Sequence, residues 1–205
     1  CLQESVGKLN TITNQSNQSY IKFLTFSRKP FDALFQKLKD KKINDFHYAL
    51  AVLYCTLRKV FQIKSLNLSC PNANRFTPEA KETIGHFSSI KPLLIDVDLE
   101  KATPNSLIQQ IKEDRWATHN HQQYPFSHIN REFKANDVEI GNLSKVSFSY
   151  ERQLYSFPFE EKLNNELRIY PVHNNAAIRI SFTNRHIDKD PIVWFMCKED
   201  LFSPE

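Results

Sequence analysis

The strongest structural signal in this sequence is an apolar repeat with the period of an α-helix, over residues 45 to about 61. Apolar side chains recur there at three- and four-residue spacing, and Asn44 stands where the N-cap of such a helix belongs. Val52 and Tyr54 widen the apolar stripe, so we expect the helix to be buried on more than one side. A second amphipathic helix, with its lysines outward, is predicted just before it over Phe31–Lys41.

Several shorter segments have the composition or the alternation of β-strands. The predicted strands are residues 19–26, 64–70, 90–99, 142–151, 167–172, 176–183 and 192–198. Thr103 and Pro104 form a helix-start pair, and Pro125 starts a further short helix. The helix after Thr103 is expected to carry these residues inward: Leu107, Ile108, Ile111, and Arg115 or Trp116. The order of elements predicts a mixed α/β fold, a mixed sheet with helices, preceded by a linker or mobile segment over 1–17.

The composition excludes several classes of function. Three glycines are too few for a dinucleotide-binding G-x-G-x-x-G or for a P-loop, since neither pattern can be written. The net charge of +4 gives no strong electrostatic reason to expect nucleic acid or membrane as a partner. No apolar run approaches the roughly 20 residues that span a bilayer. The N-terminus also lacks the basic and apolar regions of a signal peptide.

The cysteines and the methionine bear on the protein's surroundings. The four cysteines are scattered without a C-x-x-C pair, which favours reduced thiols in a cytoplasmic protein over disulfides or a zinc site. Met196 is the only methionine, so residue 1 is not an initiator residue. We therefore expect these residues to belong to a longer polypeptide.

The histidines do not form a recognisable site. His119 and His121 lie two residues apart with no carboxylate or cysteine at ligand spacing, so no metal site is predicted. His186 lies in a predicted turn, and His47 on the apolar helix is expected to be a partly buried structural residue. A serine nucleophile on a G-x-S-x-G turn is excluded because that pattern is missing. No self-contained active site is visible in this sequence.

The predicted strand over 142–151 has one polar face. Period-two alternation places Val146, Phe148 and Tyr150 on one side and the hydroxyls of Ser147 and Ser149 on the other. Such a strand is able to line a water-filled channel, and an ordinary half-exposed strand is the alternative.

Five short motifs, in order, resemble the C-terminal half of the condensation domains of nonribosomal peptide synthetases. The strand ending in SLNLSCPNANR resembles the "GTPVAGR"-type strand, and ETIGHFSSIKPLLIDVDL (82–99) is similar to "IGxFVNTLPLRxDL". HNHQQYPFSHINREF (119–133) is similar to "HQDxPFExLV", VSFSYE (146–151) to "VMFSYQN", and KEDLFSPE (198–205) to "NTDLFSPE". The resemblance begins near Tyr20 and runs to the C-terminus.

The chain departs from these patterns at several positions. Ser89 and Ile90 replace the usual Asn-Thr pair, Leu94 replaces the arginine, and Ser127 replaces an acidic residue. The later "RDxSRNPLF" segment is barely recognisable. The departures leave open a sister branch, such as an epimerisation, cyclisation or stand-alone acyltransferase domain.

The resemblance implies a chloramphenicol-acetyltransferase-like fold, two similar subdomains arranged as a V. Residues 18–205 would be the C-terminal subdomain of that condensation domain. The family's catalytic histidine lies in an H-H-x-x-x-D-G motif of the N-terminal subdomain, and this sequence does not contain the motif. The resemblance therefore implies no catalytic residue in this chain, which would form one wall of the tunnel and be inactive alone.

The same resemblance suggests roles for five residues. Arg75 matches the arginine that pairs with the aspartate of H-H-x-x-x-D-G, with an exposed loop arginine as the alternative. Ser147 and Ser149 match a strand along the tunnel floor near the reacting thioester. Ser89 and Asn74 are further candidates for the tunnel or substrate-binding surface.

The implied reaction is amide (peptide) bond formation, in which a carrier-bound acceptor amine attacks a carrier-bound donor thioester. No cofactor would bind directly, since carrier proteins deliver the substrates on phosphopantetheine arms. The implied partners are the N-terminal condensation subdomain, the donor and acceptor carrier proteins and an adjacent adenylation domain. The alternative is a non-catalytic, condensation-like docking platform for carrier proteins or tailoring enzymes.

Overall fold

A computed structural model describes residues 19–135, 145–151, 176–183 and 190–198 of the chain. These residues form six strands and five helices. In chain order the elements are β1 (Ser19–Thr25), α1 (Arg28–Asp40), α2 (Asp45–Phe61), β2 (Ser65–Asn72), α3 (Pro78–Glu82), β3 (Ser89–Asp96), α4 (Pro104–Asn120), α5 (Phe126–Ala135), β4 (Val146–Glu151), β5 (Ile178–Thr183) and β6 (Ile192–Lys198).

The six strands form one mixed sheet in the order β1-β6-β5-β4-β2-β3. The central β2-β4-β5 strands are parallel neighbours, whereas the outer pairs β2-β3, β5-β6 and β1-β6 are antiparallel. Parallel pairing of β2 with β4 brings their C-terminal ends to the same end of the sheet. The predicted mixed α/β architecture is confirmed.

The core lies between one face of the sheet and the helices α2 and α4. Leu50, Tyr54 and Ile111 on these helices are completely buried, as are Leu68 and Ile95 on the sheet. The remaining core residues alternate along each strand, as a sheet with one apolar face requires. Burial of this shared face, at roughly 25 cal/mol per Å² of apolar surface, is what holds the helices on the sheet.

The predicted helix α2 is confirmed together with its cap. It spans Asp45–Phe61, and the Asn44 side chain accepts hydrogen bonds from the amides of Phe46 and His47. Its fully buried Tyr54 has its hydroxyl 2.7 Å from the carbonyl oxygen of Lys64 and 2.8 Å from that of Val97. Because Lys64 precedes β2 and Val97 follows β3, this hydroxyl ties the helix to the outer hairpin.

The expected burial of Val52 was wrong, and of the two alternatives Arg115 and Trp116 the structure excludes Trp116. Val52 on α2 is 48% exposed and Trp116 on α4 is 67% exposed. Five positions after the buried Ile111, Trp116 lies about 140° around the helix and so points away from the core. The guanidinium of Arg115, the other residue of that pair, lies 4.4 Å from the ring centroid of Phe46 on α2.

The start of α4 matches its sequence signature. Thr103 caps the helix, Pro104 occupies its first turn, and Thr103 and Ser106 form a reciprocal capping box. The short helix α3 has no counterpart among the predictions. The predicted 1–17 segment, the predicted 167–172 strand and His186 lie outside the described residues.

Candidate functional site

The loop end of the β2-β3 hairpin brings two of the candidate residues together. The Asn74 side-chain amide donates a 2.7 Å hydrogen bond to the hydroxyl oxygen of Ser89. Asn74 has a φ of 54°, in the left-handed region that asparagine adopts more readily than most residues. Its backbone amide donates a 2.9 Å bond to the side-chain oxygen of Asn72. These contacts close the turn at the strand end.

Arg75 follows immediately and is bound to the segment that leads to β3. Its guanidinium donates hydrogen bonds to the carbonyl oxygens of Ala80, of Thr83 at 2.7 Å and of Gly85 at 2.8 Å. The same group lies 4.6 Å from the ring centroid of Phe87. Ala80 belongs to α3, whose C-terminal end favours a cation. Within the described chain, Arg75 therefore fixes the shape of residues 76–88.

The two candidate serines of β4 lie on the face opposite the helices. Val146 and Phe148 belong to the helix-covered core, so the predicted alternation of the strand is confirmed. Ser149 is buried and donates a 2.6 Å hydrogen bond to the hydroxyl of Ser181 on β5. Ser147 is half-buried and lies next to Ser69 of β2 in the register. The two hydroxyls thus have different surroundings on one strand.

Four of the five candidate residues lie toward one end of the sheet, whereas Ser147 lies near the start of β4. Asn74 and Arg75 follow β2, Ser89 begins β3, and Ser149 stands near the C-terminal end of β4. The parallel pairing of β2 with β4 places these ends on the same side. The roles of the five residues in a tunnel or at a subdomain contact stay predictions.

Sequence reasoning did not select Ser69 or Ser181, although both are buried polar residues of this sheet. The sequence does place Ser181 on the polar face of its strand, because Ile178, Ile180 and Phe182 alternate with polar residues. Ser69 donates a 3.4 Å hydrogen bond to the carbonyl oxygen of Val146. A residue's partner on a distant strand cannot be identified by alternation alone.

Two titratable groups on the helix-covered face are strongly perturbed by burial. Desolvation, reinforced by Arg115 and Lys112, lowers the pKa of His47 to about 4, while Asp45 opposes the shift. Burial raises the pKa of the Cys70 thiol to about 12. Both groups are therefore neutral at pH 7, and His47 is the buried structural residue expected from its helix.

In the described ranges, no group of three or more potential ligands is arranged to hold a metal ion. The helices in those ranges are also too short or too polar to cross a membrane. Cys55, Cys70 and Cys197 are free thiols.

Comparison with known proteins then decides the family. A family model described as the condensation domain matches residues 8–186. The chain belongs to the condensation domain family. One of the plipastatin synthase proteins of Bacillus subtilis (strain 168) is 25% identical to this condensation-domain chain over 159 residues, or 70% of the chain and 6% of that protein. The chain is therefore of the nonribosomal peptide synthetase type.

Solved structures agree on the fold of this condensation-domain chain. Holo-AB3403, a four-domain nonribosomal peptide synthetase bound to AMP and glycine, superposes with a TM-score of 0.74 at 18% identity, over 99% of this chain and 18% of that one. The condensation domain from the monacolin K polyketide synthase MokA gives a TM-score of 0.72 at 11% identity, over 92% of this chain and 44% of that one. The chain spans less than half of that condensation domain.

Proposed function

We propose that this chain is the C-terminal half of a condensation domain and forms one wall of its reaction tunnel. The observation that carries the proposal is its match to the condensation family over residues 8–186, combined with its coverage of 44% of a condensation domain structure. The resemblance of its motifs to the C-terminal half of the family selects which half. The plipastatin synthase protein matches 70% of this chain. A synthase as a relative favours condensation over a docking platform.

In this proposal, the tunnel holds two substrates that carrier proteins deliver on phosphopantetheine arms. The acceptor amine attacks the donor thioester carbonyl, the C–N bond forms, the C–S bond breaks and the thiol leaves with a proton. Holding the reactants in line contributes about 7–11 kcal/mol, whereas a general base contributes typically 10²–10⁴-fold in rate. A wall without the catalytic histidine is therefore functional because it positions the reactants.

The candidate residues are assigned to this wall. Arg75 supports the catalytic motif of the other half from the loop that it already organises through three carbonyl groups. Ser147 and Ser149, with Asn74 and Ser89, are the tunnel and substrate-binding candidates. The partners are the N-terminal subdomain, the two carrier proteins and an adenylation domain, and no catalytic residue belongs to this chain.

The test compares the 205-residue chain with the intact parent condensation domain. Both are incubated with loaded donor and acceptor carrier proteins, and the amide product is measured by mass spectrometry. We expect product from the parent domain and only the uncatalysed rate from the chain alone. Turnover by the chain alone would overturn the assignment of the catalytic histidine to the other half.

A further inference from the structure

A cavity of about 250 Å³ lies on the helix-covered face, between α4 and the ends of β2, β3 and β4. Its polar walls include Lys91, Arg115 and Gln122, and its apolar walls include Phe46, Phe148 and Tyr150. At about 30 Å³ per water, the cavity has room for roughly eight waters or one small organic ion. Its lining residues include none of the tunnel and loop candidates discussed above.

Lys91 is the unusual member of this lining. It is only 8% exposed and lies opposite Cys70, on the strand face that otherwise carries core residues such as Leu93. None of the described residues forms a hydrogen bond or ion pair with it. The stem of this side chain is shielded, while its ammonium group keeps contact with solvent, as long basic side chains commonly do. Desolvation of the partly shielded group lowers the pKa of Lys91.

The sequence shows that this lysine is a departure from the family. Aligned on Gly85 and Pro92, the pattern "IGxFVNTLPLRxDL" has leucine at position 91 and arginine at position 94. This chain has the reverse polarity, with Lys91 inward and Leu94 outward and 51% exposed. A leucine would satisfy the core at position 91 without any partner. The lysine adds a positive charge to the cavity lining.

Two further groups in the lining are suited to an anion. The Arg115 guanidinium stacks on Phe46 and has no carboxylate within 4 Å among the residues that the structure describes. Gln122 has a buried side-chain oxygen without a hydrogen-bond partner, and its amide nitrogen lies 3.3 Å from His119 Nε2. Rotating the amide by 180° presents the NH₂ group to the cavity, while the oxygen accepts from His119.

Among the residues that the structure describes, the lining carries no compensating negative charge. It contains no aspartate or glutamate, and its thiol, Cys70, is protonated at pH 7 because burial raises its pKa to about 12. The carboxylate of Asp45 is outside the lining and accepts a 3.0 Å hydrogen bond from Tyr150. The two cations are therefore available to an anion that enters the cavity.

We propose that this cavity binds a phosphate group, which is held by the Lys91 ammonium, the Arg115 guanidinium and the rotated Gln122 amide. Two positive side chains balance a phosphate dianion, and guanidinium groups bind phosphate through paired hydrogen bonds. The aromatic wall accommodates an organic substituent on the phosphate. The site does not depend on the proposed condensation activity, since all its groups belong to the described part of this chain.

The test is calorimetric titration of the 205-residue chain with inorganic phosphate and with phenyl phosphate, at constant ionic strength. We expect both to bind, with phenyl phosphate at least as tight. Equal affinity assigns the site to the phosphate alone, and tighter phenyl phosphate assigns it to an organic phosphate. Sodium acetate at the same ionic strength is the comparison anion and is expected to bind at least tenfold more weakly.

The variants are Lys91→Leu, which restores the family residue, and Arg115→Gln, with Lys101→Met as a matched control. Lys101 is exposed and pairs with Asp98, so its loss removes the same charge away from the cavity. We expect each cavity variant to weaken phosphate binding more than tenfold and the control to change it less than twofold. Arg115 is exposed at the surface, so its variant keeps the test valid if Lys91→Leu does not fold. Absence of phosphate binding to the native chain, or an equal loss in the control, would overturn the proposal.

Discussion

Ser149 on β4 donates a 2.6 Å hydrogen bond to Ser181 on the neighbouring parallel strand β5. Both residues are buried, and they lie directly opposite each other in the register. The pair lies on the sheet face that does not carry α2 and α4. A buried hydroxyl pair of this kind favours the observed register, because a one-residue slip of either strand would turn its serine to the other face and separate the pair.

We predict that the two serines are energetically coupled. Ser149→Ala or Ser181→Ala leaves one buried hydroxyl unpaired and should lower the free energy of unfolding by about 1–3 kcal/mol. The double variant removes both hydroxyls and should be less destabilising than the sum, with a coupling energy of at least about 0.5 kcal/mol. Urea denaturation of the native chain, the two single variants and the double variant gives the free energies of unfolding from which the coupling energy is calculated. Strict additivity would show that the pair does not interact in solution.

The β4 serines should also differ in their effect on activity. Ser147→Val in the parent domain should reduce turnover more than stability, because valine suits a strand and the core face is unchanged. Ser149→Val should reduce both, since it also leaves Ser181 without its donor. Turnover with loaded carrier proteins and the melting temperature Tm measure the two effects. Full activity in the folded Ser147→Val variant would remove Ser147 from the tunnel.

Much of the fold was predictable because it rests on local periodicity. The apolar stripe of α2, the Asn44 cap and the Thr103–Pro104 helix start are encoded within a few residues of each other. Strand β6 was placed at the observed bounds for the same reason. The choice between Arg115 and Trp116 was left open, because the two are neighbours on the helix and only tertiary packing decides which one faces inward.

The site was less predictable because its contacts join residues that are distant in sequence. Ser149 and Ser181 are 32 positions apart, and Tyr54 and Val97 are 43 apart. Parallel pairing of β2 with β4 crosses an even longer separation, and no alternation pattern specifies it. Motif resemblance selected Arg75, but its three carbonyl acceptors are visible only in the folded loop.

Arg75 gives a test that separates its loop contacts from the predicted subdomain contact. In the 205-residue chain, Arg75→Ala should lower the free energy of unfolding by about 1–3 kcal/mol, since it removes hydrogen bonds from a charged donor. Amide hydrogen exchange in residues 79–88 should accelerate. In the parent domain the loss should be larger and activity should fall, because breaking a partly buried ion pair from one side costs roughly 3–5 kcal/mol.

The control is Arg58→Ala, which removes an arginine that donates a 3.0 Å hydrogen bond to the carbonyl of Val97, outside this loop. It should destabilise without accelerating exchange in residues 79–88. An equal loss of stability for Arg75→Ala in the chain and in the parent domain would contradict the ion pair with the N-terminal half, while the loop contacts would stand.

His47 should make the stability of the chain depend on pH in a defined window. Its pKa is lowered from 6.5 to about 4 by desolvation first, then by the cations Arg115 and Lys112, with Asp45 opposing. Between those two pH values the unfolded chain binds a proton that the folded chain excludes. The contribution of His47 is therefore fully favourable above pH 6.5 and is lost as the pH falls toward 4, with a slope of at most about 1.4 kcal/mol per pH unit.

Subtracting the unfolding free energy of His47→Gln at each pH cancels the carboxylate titrations and isolates this group. We expect the native-minus-variant difference to decrease between pH 6.5 and 4 and to be constant above pH 7. A difference that is flat across this window would show that His47 is not held neutral by burial.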